Sequence, residues 1–347
     1  MKGYRIMGSD TEKKKRIREK VFHVIKVLVA GILIYWVMKD IQMKDLAAIP
    51  RSHMVLAWCA GFLMVMLQSS FTALRWQILV KAQGIPLTFF KAFSLTFQGM
   101  FFSLCLPGGA VGGDVVKAAC IVKEAEKDKK VEAVTSIFVD RLAGLIALFG
   151  MAFILLLISL PQILHFEKAI QATVFMIGGM CLAGLCAAFF VFFHEWFLRI
   201  SFISRLVDIP DKLLKGAVRR VFASVDVYRK KWKTLLLACV MGVTVIHPFL
   251  LIALHLISVI ISGKLLQLLP VFLSSALGNV ASCIPGTVGG LGARDKVMQV
   301  ILEHSGISVS EASVVPILYT CGYVSASLLG ALFFILESFL QKRKFQK

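Results

Sequence analysis

Acidic charge and long polar stretches are what this chain has least of. Asp and Glu number 20 against 39 Lys and Arg, and charged residues make up only 17% of the 347 positions. Hydrophobic residues reach 58% and the mean hydropathy is +0.81. Several runs of about 20 apolar residues match the thickness of a bilayer core, more apolar surface than a soluble domain of this size can bury. The longest stretch outside those runs, Glu195 to Lys233, is too short for a catalytic domain, which excludes an appended soluble enzyme. The eight cysteines are scattered through apolar runs without a Cys-x-x-Cys or Cys/His cluster, so neither a zinc site nor a disulfide framework is expected. A Gly-Lys-[Ser/Thr] phosphate loop, an Asp-rich metal motif and a supported Ser-His-Asp set are all missing. No cofactor and no metal are expected, and no catalytic residue is assigned.

What is present is basic charge, and its placement decides its meaning. The net charge of +19 does not point to nucleic acid, because Lys and Arg concentrate beside the hydrophobic runs, where they encode topology. The basic start, Lys13 to Arg18, leads directly into an apolar run from Val21 without a small-residue cleavage site, and is read as preceding a retained span. Six full spans are expected: Val21–Met38, Met54–Leu74, Val134–Leu160, Ala172–Phe193, Thr234–Ile261 and Ser313–Leu340. The expected fold is all-α and polytopic, with a basic cytoplasmic N-terminus (1–20), a transmembrane domain (21–340) that includes a basic cytoplasmic loop (195–233), and a basic cytoplasmic tail (341–347).

Two further apolar segments are broken. Thr88–Ile121 contains Cys105-Leu-Pro107-Gly108-Gly109-Ala-Val-Gly112-Gly113-Asp114. Leu265–Glu303 contains Cys283-Ile-Pro285-Gly286-Thr-Val-Gly289-Gly290-Leu-Gly-Ala-Arg294-Asp295, its first cysteine 178 residues after that of the first copy. Pro and clustered Gly interrupt a helix, and irregular backbone at membrane depth persists only when protein buries it or it lines a wet cavity. If the N-terminus is cytoplasmic and each broken segment returns to its side of entry, 30 of the 39 Lys and Arg fall on the cytoplasmic side and five outside. If only the first segment crossed, the ten basic residues of Arg199–Lys233 would face outward, against the positive-inside rule. Two re-entrant hairpins entering from opposite faces, in an inverted repeat, are therefore expected; eight full spans are the alternative.

Charge follows both breaks. Asp114 and Lys117, three residues apart, share a helix face if a helix begins at Gly113, and the loose backbone before it exposes N–H groups to an anion. Otherwise the glycines only permit a tight reversal and Lys117 marks the cytoplasmic edge. Arg294, Asp295 and Lys296 follow the second break, where burial costs about 2.5–3.5 kcal/mol per charge. Arg294 suits bidentate phosphate binding with Asp295 holding it, or the two only anchor the hairpin at the interface. Asp140 and Arg141 lie inside an apolar run. Arg141 faces Asp114 or a lipid phosphate, or the span starts near Leu142 and both residues lie at the surface. Arg75-Trp76 reads as an interface anchor.

Other polar residues carry weaker readings. Leu214, Val218, Val221, Val225 and Tyr228 fall on one face of a predicted helix after Pro210, an interfacial helix among anionic headgroups or a plain connector. Ser94, Thr96, Gln98 and Ser103, with Ser274, Ser275, Asn279 and Ser282, line a hydrophilic groove or join helices by hydrogen bonds. His247 and His255 read as packing residues beside Pro248.

Taken in order, Arg75-Trp76, Pro107 to Asp114, Asp140-Arg141-Leu-Ala-Gly144-Leu and Pro285 to Asp295 resemble the flippase-like family, also called the lysylphosphatidylglycerol synthase transmembrane region. The resemblance spans about residues 15–340. In its best-known members, the bacterial multiple peptide resistance factors, this region looks like the part that moves aminoacylated phosphatidylglycerol between leaflets, and a separate cytoplasmic domain transfers the amino acid. That second domain is lacking here, so the resemblance implies no synthase activity. Family patterns often carry Arg near Lys117 and Glu at Asp295, and both departures keep the charge while altering reach. The expectation is a lipid translocase of the cytoplasmic membrane with both termini inside. Asp114, Lys117, Asp140, Arg141, Arg294 and Asp295 would contact a phosphate-bearing lipid. The alternatives are a membrane-embedded enzyme on a lipid or polyprenyl phosphate and an accessory partner of a lipid-modifying enzyme.

Overall fold

A computed structural model describes residues 49–106, 110–213, 216–283 and 292–344. The predicted span Val21–Met38 and the break residues Pro107, Gly108, Gly109, Pro285, Gly286, Gly289 and Gly290 lie outside the described residues. The described chain is helical, with five helices long and apolar enough to cross a membrane. These are α1 (Arg51–Ala82), α4 (Lys130–Ile158), α5 (Lys168–Phe192), α9 (Trp232–Ser262) and α12 (Val309–Lys344, apolar through Glu337). Each coincides with a predicted span, and together they make the protein a multi-pass membrane protein.

The two broken segments fold as pairs of short helices: α2 (Phe89–Cys105) with α3 (Ala110–Glu124), and α10 (Leu268–Ala281) with α11 (Ala293–Glu303). At 1.5 Å per residue α2 and α10 extend about 25 and 21 Å, short of the roughly 30 Å hydrocarbon core. The partners in each pair pack on each other. Element order repeats as long, short, short, long: α1-α2-α3-α4, then α9-α10-α11-α12. The packing crosses between the halves, since α2 lies on α12 and α10 lies on α4. Where α2 meets α12 the backbones nearly touch. A Cβ on Gly330 would stand 1.9 Å from the Phe97 carbonyl oxygen, the close approach that small residues give membrane helices. Gly330→Ala is therefore expected to lower the apparent melting temperature in detergent, overpacking of this kind costing about 1–3 kcal/mol. Gly150→Ala, with nothing within 4 Å of its new methyl, is expected to leave it level or raise it.

Pro248 interrupts α9. Pro has no N–H to donate four residues back, and the chain takes a π-helical turn at Gly242–Ile246 just before it. Three helices, α6 (His194–Leu198), α7 (Ser201–Leu213) and α8 (Ala217–Arg229), join α5 to α9. Arg229 of α8 pairs with the exposed Glu195 of α6 and holds that carboxyl below the usual carboxylate range through its hydrogen bond. The segment after Pro210, expected as one helix, is divided between α7 and α8, and Leu214 lies outside the described residues. The chain turns at Gly216 (φ +81°), and α8 buries Phe222, Val225 and Tyr228 against the bundle, with the Tyr228 hydroxyl donating to the Leu79 carbonyl at 3.1 Å.

Candidate functional site

Three Arg–Asp pairs and one lysine stand on the helices that flank the two breaks. Arg75, on the last third of α1, is buried, and its Nε donates to Asp140 Oδ1 of α4 at 2.8 Å while Nη2 reaches the Asp140 carbonyl at 3.2 Å. Two glycines make room for the guanidinium. A Cβ on Gly144 would lie 3.1 Å from Nη2, and one on Gly242, in the π turn, 3.5 Å from Nη1. His247 follows that turn, and its Nε2 lies 3.1 Å from the Gly144 carbonyl, an interaction that requires Nε2 to carry the proton. Trp76 is fully buried with Nε1 donating to Ser136 at 3.1 Å. The expected interface anchor at Arg75-Trp76 is thus corrected to an interior pair, because Asp140, Ser136 and the glycine slot offer both side chains partners inside.

Helix α3 begins at Ala110 rather than Gly113, so Asp114 sits one turn in. Arg141 grips it through two bonds, Nε to Oδ2 at 2.7 Å and Nη2 to Oδ1 at 2.9 Å, and Nη2 also reaches the Ala110 carbonyl at 3.1 Å. Of the two readings for Asp140 and Arg141, the first holds in that Arg141 faces Asp114, and the helix starts at Lys130 rather than near Leu142; Asp140 is interior, while Arg141 keeps 44% of its side chain exposed. Lys117 is only 7% exposed, with Nζ 3.6 Å from the centroid of the Trp76 ring. Among the described residues it makes no ion pair or hydrogen bond, though both Asp140 and Asp114 act on it electrostatically. The Gly-Gly pair lets this happen: a Cβ on Gly113 would stand 2.1 Å from the Gly99 carbonyl oxygen of α2, so only glycine lets α3 come this close.

At the second break Arg294 is 4% exposed. Its Nε donates to Asp295 at 3.1 Å, Nη2 donates to the Thr320 hydroxyl of α12, and Cζ lies 5.0 Å from the Tyr319 ring centroid. Thr320 donates in turn to Asp295 at 3.0 Å, and Asp295 accepts weakly from the Gly292 N–H at 3.4 Å, capping α11. Lys296 bonds Gln299 at the surface at 3.3 Å. Tyr323, one turn beyond Tyr319, lies within electrostatic range of both Arg141 and Arg294 and so links the two break regions.

Thr320, Tyr319 and Tyr323 were passed over in the sequence; the i, i+4 tyrosines in an apolar run were the available signal. Glu337 was missed as well, although it is the lone acid of the predicted span Ser313–Leu340. It accepts from Lys91 at 3.2 Å and Ser94 at 2.9 Å, and Gln98 donates to Ser94 at 3.0 Å. Of the groove residues, Ser94, Ser274 and Ser275 bond across to other helices, as the joining alternative has it, whereas Ser103, Asn279 and Ser282 bond to carbonyls of their own segments.

Fold and site together define a polytopic helical membrane protein with ionised pairs in its interior. Over residues 23–330 the chain matches the family described as the lysylphosphatidylglycerol synthase TM region, and it belongs to that family. A role at membrane lipids accompanies that membership. No curated protein and no solved structure matches the chain.

Proposed function

We propose that this protein moves a phosphate-bearing lipid between the leaflets of the cytoplasmic membrane, without transforming it. The observation that carries the reading is Lys117. Among the described residues Arg75, Arg141 and Arg294 each have a carboxylate partner, and Lys117 makes no ion pair. A desolvated cation with no counter-ion attracts one, and the surplus of a single positive charge suits one phosphodiester. Arg141, half open beside it, would steer the headgroup in, and Arg294 would hold it from the other break while the acyl chains stay in lipid. The two short helix pairs are read as re-entrant hairpins from opposite faces, with both termini cytoplasmic, and rocking of one half against the other gives alternating access. The repeated element order and the crossed packing of α2 on α12 and α10 on α4 support that reading.

The test is reconstitution. Purified protein in liposomes should carry headgroup-labelled phosphatidylglycerol from the inner leaflet to an impermeant quencher outside. It should leave an uncharged glycolipid with the same chains in place and return both lipids chemically intact. Movement of neither lipid, or a product of altered mass, would overturn the proposal. Arg294→Ala is expected to abolish the transfer, and an unchanged rate would remove Arg294 from the site.

A further inference from the structure

Helix α7 has two unlike faces. Asp208 and Asp211 turn toward α8, where Arg219 holds them at 2.9 and 3.5 Å, and the Asp211 carboxylate also accepts the Arg219 backbone N–H at 3.0 Å. Arg205, Ile209, Lys212 and Leu213 stand at i, i+4, i+7 and i+8, a single stripe on the other side. That stripe is open: Ile209 is 68% exposed, Leu213 is 82% exposed, and both basic residues are exposed. The acids of this helix are thus engaged by Arg219 of α8, while its two cations and its aliphatic groups are exposed together. The orientation is fixed, because α8 is anchored in the bundle through Phe222, Val225 and Tyr228.

The position in the chain names the cover. α7 lies between the end of α5 at Phe192 and the start of α9 at Trp232, where two spans leave the bilayer on the same side. Trp196 and Trp232 at those ends are 63% and 58% exposed, as tryptophans at a headgroup boundary are. We infer that α7 is a membrane-surface helix whose Arg205–Leu213 stripe docks onto anionic phospholipid headgroups, the aliphatic side chains entering the acyl boundary and the two cations meeting lipid phosphates. The inference rests on the membrane fold and the charge separation across α7, and it stands whether or not lipid is translocated.

The experiment places an environment-sensitive fluorescent amino acid at Leu213 of the full chain in nanodiscs of phosphatidylcholine alone or mixed with phosphatidylglycerol. The mixed discs should give blue-shifted emission that spin-labelled lipid quenches, and high salt should weaken the effect. Each cation contributes roughly a fivefold preference for the anionic surface. Arg205→Glu with Lys212→Glu should therefore return the emission to that of the neutral discs, with melting unchanged because both side chains are exposed. Water-like emission in both kinds of disc would overturn the proposal. So would a blue shift that persists in lipid-free detergent, which would assign the stripe to protein.

Discussion

Lys117→Met is expected to slow lipid translocation in proteoliposomes about 10- to 100-fold while leaving elution and melting unchanged. Methionine keeps the unbranched stem that lies against Trp76 and removes only the ammonium. A charge-assisted hydrogen bond is worth about 1.5–3 kcal/mol, and each 1.4 kcal/mol is a factor of ten. Stability should hold, because no carboxylate is left behind unpaired, and a desolvated charge disappears. Lys117→Arg should retain much of the rate, since it returns the charge and adds bidentate reach toward a phosphate. The pattern separates two roles. If Lys117 only braced the hairpin through its contact with Trp76, Met would cost melting temperature and not rate. Equal rates for wild type and Lys117→Met would place the phosphate elsewhere.

How far the sequence reaches is visible residue by residue. The five described spans were legible because length and hydropathy are local properties, and the short helix pairs because Pro and Gly punctuate the chain at Pro107 and Pro285. The pairings of Arg141 with Asp114 and of Arg294 with Asp295 were among those the sequence offered, but that of Arg75 with Asp140 was not. Arg75 meets Asp140 from 65 residues away and Arg141 meets Asp114 from 27, distances set by which helices pack together. Arg75-Trp76 looked like an anchor because the burial of Trp76 depends on Ser136 and that of Arg75 on a slot between Gly144 and Gly242, contributed by two other helices. Of the apolar face predicted after Pro210, Val225 and Tyr228 are buried. Periodicity reports amphipathicity and does not distinguish lipid from protein as the cover. The lipid-facing stripe belongs to the preceding helix, where Asp208 and Asp211 masked it until their partner Arg219 was seen. Thr320 entered the site because Arg294 reaches across from α11, and a threonine within an apolar run announces nothing by itself.

The Arg75–Asp140 pair should answer to substitution in the opposite way from Lys117. Arg75→Leu strands a carboxylate that is 8% exposed, with no second cation bonded to it, and removing one partner of a buried pair costs about 3–5 kcal/mol. For a chain of this size that is a fall of roughly 4–7 °C in apparent melting temperature, measured by thermal scanning in detergent. Arg75→Leu with Asp140→Leu should recover most of the loss, because the charge and its solvation cost vanish together. If the double variant remains as unstable as the single one, the guanidinium stabilises through its seat between the glycines and not through its charge. The transport assay then adds a second reading. Asp140 acts electrostatically on Lys117, so a refolded double variant has lost a nearby negative charge that competes with lipid phosphate for that ammonium. Its lipid affinity should rise and its release should slow, which appears as a lower half-saturating lipid concentration with a lower maximal rate. A double variant with wild-type stability and wild-type kinetics would confine this pair to holding α1 against α4.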